Sequence, residues 1–186
     1  MPNSFLALSD EENNLSTART VLVPVPYDGA TSYRSGAREG PAAIISASRH
    51  LEDYDLESDQ EPSKLGIYTH PEIEPHLGSP YAMVERVHQV VGSLVSMGKL
   101  VGVLGGDHSI TVGSVSACLE QYADMSILYL DAHADLRDEY QGTKYSHACT
   151  ARRIHEMAPI VHVGVRSLST EEKDYISKQD IPVFLW

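Results

Sequence analysis

Along the chain, short apolar runs rich in Val, Ile and Leu alternate with longer stretches in which apolar residues recur every three or four positions. Six runs have the first character: TVLVPVPY (20–27), LGIYT (65–69), LVGVLGG (100–106), SILYLDAH (126–133), IVHVGVR (160–166) and IPVFLW (181–186). Several are apolar at nearly every position, the pattern of parallel strands covered on both faces, since a half-exposed strand would alternate apolar with polar. Between them the period lengthens to that of a helix. The clearest case runs from Ser79 to about Met97, with Ser79 as N-cap, Pro80 at the first helical position and an apolar stripe of Val84, Val87, Val91, Leu94 and Val95 that stops near Gly98. Further helices are predicted over 41–54, 112–122 and 147–157, and a last one to about Lys178, opened by Ser169 and Glu172 at capping-box spacing.

Strands that alternate with helices predict a three-layer α/β/α fold with a largely parallel sheet, whose functional groups gather at the carboxyl ends of the strands. A single domain over residues 1–186 is expected, with 1–18 and the polar stretch 57–64 as its flexible segments. With 186 residues, 42% of them hydrophobic, the chain can bury one sizeable core, and two domains would crowd it. A formal net charge of −12 and a pI near 5.0 speak against nucleic acid or an anionic membrane surface as partners and suit a cationic small molecule. Cys118 and Cys149 both fall in helical patterns, so a reducing cytoplasm is expected rather than a disulfide framework. The N-terminus has no basic region followed by an apolar block, and no run reaches the roughly 18 apolar residues of a membrane span.

The fourth run changes character at its end: ILYLDAHADLRDEY (127–140) places Asp131, His133 and Asp135 at alternate positions. In an extended strand residues two apart share a face, so Asp131 and His133 can converge, but a straight chain would hold Asp131 and Asp135 about 13 Å apart. The chain must therefore curl just past the strand end. A loop that turns there gathers the three side chains round one point, which suits two metals sharing a carboxylate better than one ion. The alternative is a polar strand end that merely emerges into solvent. Against it stands the preceding run, which ends in LGGDHSIT (104–111): Gly105 and Gly106 permit a tight turn and close backbone approach, and His108 projects from the same sheet edge. Twelve residues after Asp135, His147 opens a helix pattern in KYSHACTARR. Its ring either caps the first turn or lines the metal pocket, where a near-neutral pKa suits proton transfer.

Taken together, GGDHS (105–109), DAHAD (131–135) and YSHA (145–148) resemble the ureohydrolase family of arginases and agmatinases, binuclear manganese enzymes that hydrolyse guanidino groups to urea. DLRDEYQGTKYSHAC (135–149) and YDGATSYRSGAREGPAAI (27–44) are similar to the agmatinase branch, so the likeness covers nearly the whole chain past residue 20. The resemblance implies an arginase-like fold and two Mn²⁺ per complete active site, with His108 and Asp135 on one ion, His133 on the other and Asp131 bridging both. Such mixed oxygen and nitrogen donors suit Mn²⁺ without excluding zinc or iron. The resemblance further implies that metal-activated water attacks the guanidino carbon, that His147 carries a proton to the departing amine, and that His147, Arg137 and Ser146 bind substrate. Where arginases carry a Ser-Gly-Asn type stretch for the amino-acid carboxylate, this chain has Lys144, Tyr145 and Ser146. The expected substrate is therefore agmatine, giving putrescine and urea in polyamine biosynthesis, with guanidinobutyrate, arginine or another guanidino compound behind it. Asp138 and Glu139 would favour a cationic tail unless they only face solvent. A homo-oligomer, trimer or hexamer, is the assembly that the family implies.

The family's two other metal carboxylates lie in a Ser-x-Asp-x-Asp motif at the end of a later strand, and none follows Arg166. Beyond it, Asp174 falls inside a helix pattern and Asp180 precedes a strand. The one Asp-x-Asp, Asp53 and Asp55, follows the second helix and reads as a solvated helix end. The chain thus reads as a ureohydrolase domain whose C-terminal strands are missing, ending at Trp186 within a strand pattern. Two functions compete: an agmatinase-type hydrolase in truncated or split form, with a complementing C-terminal chain as partner, and a non-catalytic subunit that keeps the ureohydrolase scaffold.

Overall fold

A computed structural model describes residues 4–186. Six parallel strands appear where the apolar runs predict them: β1 (Thr20–Pro24), β2 (Ile67–Thr69), β3 (Leu100–Leu104), β4 (Ile127–Leu130), β5 (Ile160–Val165) and β6 (Val183–Leu185). They form two three-stranded sheets, ordered β2-β1-β3 and β4-β5-β6, rather than one. Among the described residues neither β3 nor β4 has a hydrogen-bonded strand on its second side, which is why the sheets stay separate.

Five α-helices connect the strands: α1 (Gly40–Ser48), α2 (Pro80–Ser96), α3 (Thr111–Leu119), α4 (Thr150–His155) and α5 (Thr170–Gln179). The predicted start signals act as expected in two of them. Ser79 accepts the Ala82 N–H at the head of α2, and Ser169 and Glu172 close a reciprocal capping box on α5. Helix α1 ends at Ser48 instead of 54, and α4 is preceded by a 3₁₀ turn over His147–Cys149. No helix among the described residues is long and apolar enough to cross a membrane.

Two apolar clusters make the core. Val21, Val23 and Val25 of the first sheet pack with the α2 stripe, while Tyr129, Ile160 and Val165 of the second pack with Leu136 and Ile154. Helix α3 joins the clusters, giving Ala117 to the first and Val115 to the second. It crosses α2 so closely that a Cβ at Gly113 would lie 2.3 Å from the Val84 carbonyl oxygen, so only glycine fits there.

The structure corrects one expectation and places most of the N-terminal segment. On β4, Tyr129 is buried but Leu128 and Leu130 are 65% and 71% exposed, so this strand is covered on one face only. The N-terminal segment 1–18 is expected to be flexible. Its first three residues lie outside the described residues, but residues 4–18 are laid against the body. Ser4 and Ala18 are buried, the Phe5 N–H donates to Thr69 Oγ1, the Leu6 N–H to Ser48 Oγ, and Asn13 Oδ1 accepts the Thr69 N–H. Residues 57–64 also fold locally, because Asp53 and Asp55 accept the backbone N–H groups of Ser63, Glu57 and Ser58.

Candidate metal centre

A cavity of about 670 Å³ opens at the carboxyl ends of β3 and β4. Gly106 lets the chain leave β3 against the neighbouring strand: a Cβ there would lie 2.1 Å from the Tyr27 carbonyl oxygen. The turn that follows delivers His108. Past β4 the backbone is pinned to the end of β5, with the Asp131 N–H donating to Val163 and the Arg166 and Ser167 N–H groups both donating to the Ala132 carbonyl. The curl that the spacing requires occurs at Asp135, which takes a left-handed φ of +50°. Aspartate tolerates that region better than most residues with a Cβ.

The result brings His108, Asp131 and Asp135 together, with one ligand atom from each lying within 4.8 Å of the others. His108 Nδ1 stands 3.1 Å from Asp135 Oδ2 and 3.3 Å from Asp131 Oδ2. Burial pulls the His108 pKa down, but the hydrogen bond and charge of Asp135, followed by the charge of Asp131, outweigh it and hold the imidazole above its ordinary value. His133 stands on the outer side of the group, more exposed, its Nδ1 3.3 Å from Asp131 Oδ1. Asp131 is thus the carboxylate between the two imidazoles, one on each oxygen.

His147 reaches the cavity from the other loop. Its Nδ1 is 2.8 Å from the Ala30 carbonyl oxygen, which can only accept, so Nδ1 carries the proton and Nε2 presents its lone pair, with Ser32 Oγ 3.4 Å away. Of the two roles open to this histidine, the helix cap falls to its neighbour: Ser146 Oγ accepts the Ala148 N–H. Ser146, for which a substrate contact is expected, is buried behind His147 and does not line the cavity. Its hydroxyl is taken by the turn that carries the imidazole. Arg137 does line the cavity, its guanidinium 5.2 Å from the Tyr140 ring centroid. Asp138 is turned elsewhere, paired with Arg153 at 2.6 Å and Lys144 at 3.5 Å, and Arg153 holds its carboxyl below the usual range.

Several groups escape the sequence reading. The 28–38 loop, carrying Ser32, Tyr33 and Arg34 into the cavity wall, is held by Asp28, which accepts from Gly36 N–H and Arg38 Nε. Asp107 ties it to the β3 turn by accepting the Ala30 N–H at 3.1 Å. Glu172, recognised as a cap, also accepts the Leu136 N–H and so anchors the loop after β4 to α5. Tyr129 lies two residues before Asp131, on the same strand face, and that spacing is the signal that could have found it.

Comparison with known proteins bears on these features. The family model described as the arginase family matches residues 18–185. The N(1)-aminopropylagmatine ureohydrolase of Synechocystis sp. is 37% identical over 98% of this chain and 62% of its own length. The agmatinase of Pyrococcus horikoshii is 37% identical over 90% of this chain and 59% of its own. Among solved structures, the agmatine ureohydrolase of Thermoplasma volcanium superposes with a TM-score of 0.89 at 30% identity, covering 100% of this chain and 62% of that one. The chain therefore spans about three fifths of the length of the relatives it matches.

Proposed function

This chain belongs to the arginase family, and from that premise we propose that it serves, as a single ureohydrolase domain, an agmatinase-type hydrolysis of the guanidino group of agmatine to putrescine and urea. The observation that carries the reading is the cluster of His108, Asp131 and Asp135 at the floor of a cavity toward which His147 turns its Nε2, beside Ser32 Oγ. The donor set suits a divalent cation: among the described residues no backbone N–H group is spent on the Asp135 carboxylate, and the mixture of imidazole nitrogen and carboxylate oxygen is compatible with Mn²⁺. In this reading His108 and Asp135 would hold one ion, His133 the other, and Asp131 would serve both. When bound, such a pair lowers the pKa of water and polarises the guanidino group.

The chain's own groups then have defined tasks. The Ala30 carbonyl fixes the tautomer of His147, so that Nε2 takes up a proton on the cavity side and returns it to the departing amine. Ser146 holds the turn that presents this ring. Arg137 and the 31–34 segment shape the wall along which the rest of the substrate lies. A cytoplasmic homo-oligomer working in polyamine biosynthesis completes the reading, in keeping with the two free cysteines.

A second substrate is favoured by the 37% identity to an enzyme named for N(1)-aminopropylagmatine. One experiment tests both. Urea release by the manganese-loaded protein is measured with agmatine, N(1)-aminopropylagmatine, arginine and guanidinobutyrate. The highest kcat/KM is expected for agmatine. A higher value for the aminopropyl compound moves the assignment to that branch, and no urea from any of them with metal bound, also after a separately expressed C-terminal segment carrying Ser-x-Asp-x-Asp is added, overturns the hydrolase reading.

A further inference from the structure

Beneath the cluster, three rings stack into the core. His108 lies against Tyr129 with ring centroids 5.1 Å apart, and Tyr129 lies against His162, its partner in the β4–β5 register, at 5.0 Å. Tyr129 is 4% exposed and His162 fully buried, so the phenol is fixed on both faces and points its hydroxyl one way. That hydroxyl is 2.9 Å from Asp135 Oδ2 and 3.2 Å from His108 Nδ1. A phenol has one proton, and of these two neighbours the carboxylate is the one that can only accept, so the proton goes to Asp135.

Asp135 needs such a hold. Its backbone sits in the left-handed region, a conformation that residues with a Cβ keep only when their surroundings impose it. The main chain is tied by the Arg152 N–H, which donates to the Asp135 carbonyl at 3.1 Å, but this bond leaves the carboxylate free to rotate. The other three buried or half-buried acids of the cavity are fixed by backbone N–H donors: Asp107 by Ala30 and Ser109, Asp131 by His133, and Glu172 by Leu136 and Ser169. Among the described residues the Asp135 carboxylate has none, and Tyr129 supplies what the backbone does not.

We propose that Tyr129 is a positioning residue of the metal centre: its hydroxyl, donated to Asp135 Oδ2, sets the orientation of that carboxylate and thereby the affinity of the site for its divalent cation. The inference rests on the reading of the cluster as a metal centre. It assigns Tyr129 no contact with substrate and no proton transfer. The orienting bond falls on Oδ2, which His108 also faces, and it opposes rotation of the carboxylate toward solvent.

The test uses the full chain and Mn²⁺ alone. Binding is titrated by the electron-paramagnetic-resonance signal of free Mn²⁺ for the wild type and Tyr129→Phe, and the Tm of each is measured in the presence of EDTA. Phenylalanine keeps the ring and both stacking contacts. A partner of this kind contributes about 10-fold to 100-fold in metal affinity, so a loss of that size is expected with the metal-free Tm nearly unchanged. A merely structural role would give the reverse, a lower Tm with unchanged Mn²⁺ affinity, and would overturn the proposal. Should phenylalanine disturb the fold, 4-fluorophenylalanine at position 129 keeps nearly the phenol's volume without its proton and is held to the same outcome. A wild type that binds no Mn²⁺ would overturn the metal reading itself, and the two failures are told apart by which protein fails to bind.

Discussion

Two pairs of aspartates around the cavity are all buried or half-buried, and they are satisfied in opposite ways. Asp28 and Asp107 are filled by N–H donors: the Arg38 guanidinium and the Gly36 N–H on the first, Ala30 and Ser109 N–H on the second. Among the described residues Asp135 receives a phenol and an imidazole alone, and one oxygen of Asp131 meets only His108. A carboxylate whose lone pairs are occupied by fixed N–H donors holds a loop in place, because those donors cannot leave without exposing a buried polar group. A carboxylate that faces imidazoles across a cavity can exchange a proton for a cation. The same residue type thus does two jobs, and its donors decide which.

The strongest way to break this division is Asp131→Ala. If Asp131 serves both ions, the variant loses both metals and all measurable urea release, with an affinity loss beyond the 10-fold to 100-fold typical of a residue that only supports a ligand. Metal analysis after dialysis decides it. Two manganese ions retained per chain would place Asp131 with the structural pair.

His147→Ala is expected to have the next largest effect and the opposite signature. Its imidazole is held by the Ala30 carbonyl and lies outside the acid cluster, so the metals stay while kcat falls by about 10²-fold to 10⁴-fold. Metal content and steady-state kinetics on one preparation separate the outcomes. Lost metal with kcat preserved per remaining site would make His147 a ligand.

On the structural side, Asp28→Asn should leave metal content unchanged and lower stability by about 0.5–1.5 kcal/mol, the net range for a hydrogen bond, since the donors Gly36 and Arg38 are themselves exposed. The effect has a defined pH dependence. The hydrogen bond from Arg38, then that from the Gly36 N–H, holds the Asp28 carboxyl below its ordinary pKa. A depressed carboxyl contributes stability above its unfolded pKa and loses it as pH falls through the lower, folded-state value. The gap between wild type and variant in urea denaturation should therefore be full at neutral pH and shrink in acid. A gap that widens in acid would contradict the ion pair with Arg38.

The two classes of acid also differ in how far the sequence discloses them. Asp131, His133 and Asp135 lie within five residues at a strand end, so strand geometry alone demands the curl found at Asp135, and all six strands follow from their apolar runs. Asp107 stands inside the quoted GGDHS stretch, but its main partner, Ala30, is 77 residues away, and nothing local marks a carboxylate that accepts from a distant backbone. Ser146 misleads for a related reason. A serine beside a pocket histidine reads as a substrate contact, and only the fold shows its hydroxyl turned to the Ala148 N–H. The separation into two sheets was equally hidden, because a strand's apolar pattern reports burial and carries no record of which neighbour it pairs with.

The smallest expected effect concerns acids of neither class. Asp138 and Glu139 follow the metal loop closely enough to invite a role in drawing in the cationic end of agmatine. The structure takes Asp138 out of reach by pairing it with Arg153 and Lys144, and Glu139 is exposed and absent from the cavity wall. An exposed carboxylate in water is strongly screened, and substitutions at such positions stay within about 0.5 kcal/mol. Glu139→Gln should accordingly leave the KM for agmatine nearly unchanged, and Asp138→Asn should act on the packing of Arg153 rather than on KM. Steady-state kinetics at low and high ionic strength provide the check. A KM that rises in Glu139→Gln at low salt and returns to the wild-type value at high salt would show that this acid steers the substrate, adding a third, long-range use of the carboxylate to the two that the buried aspartates define.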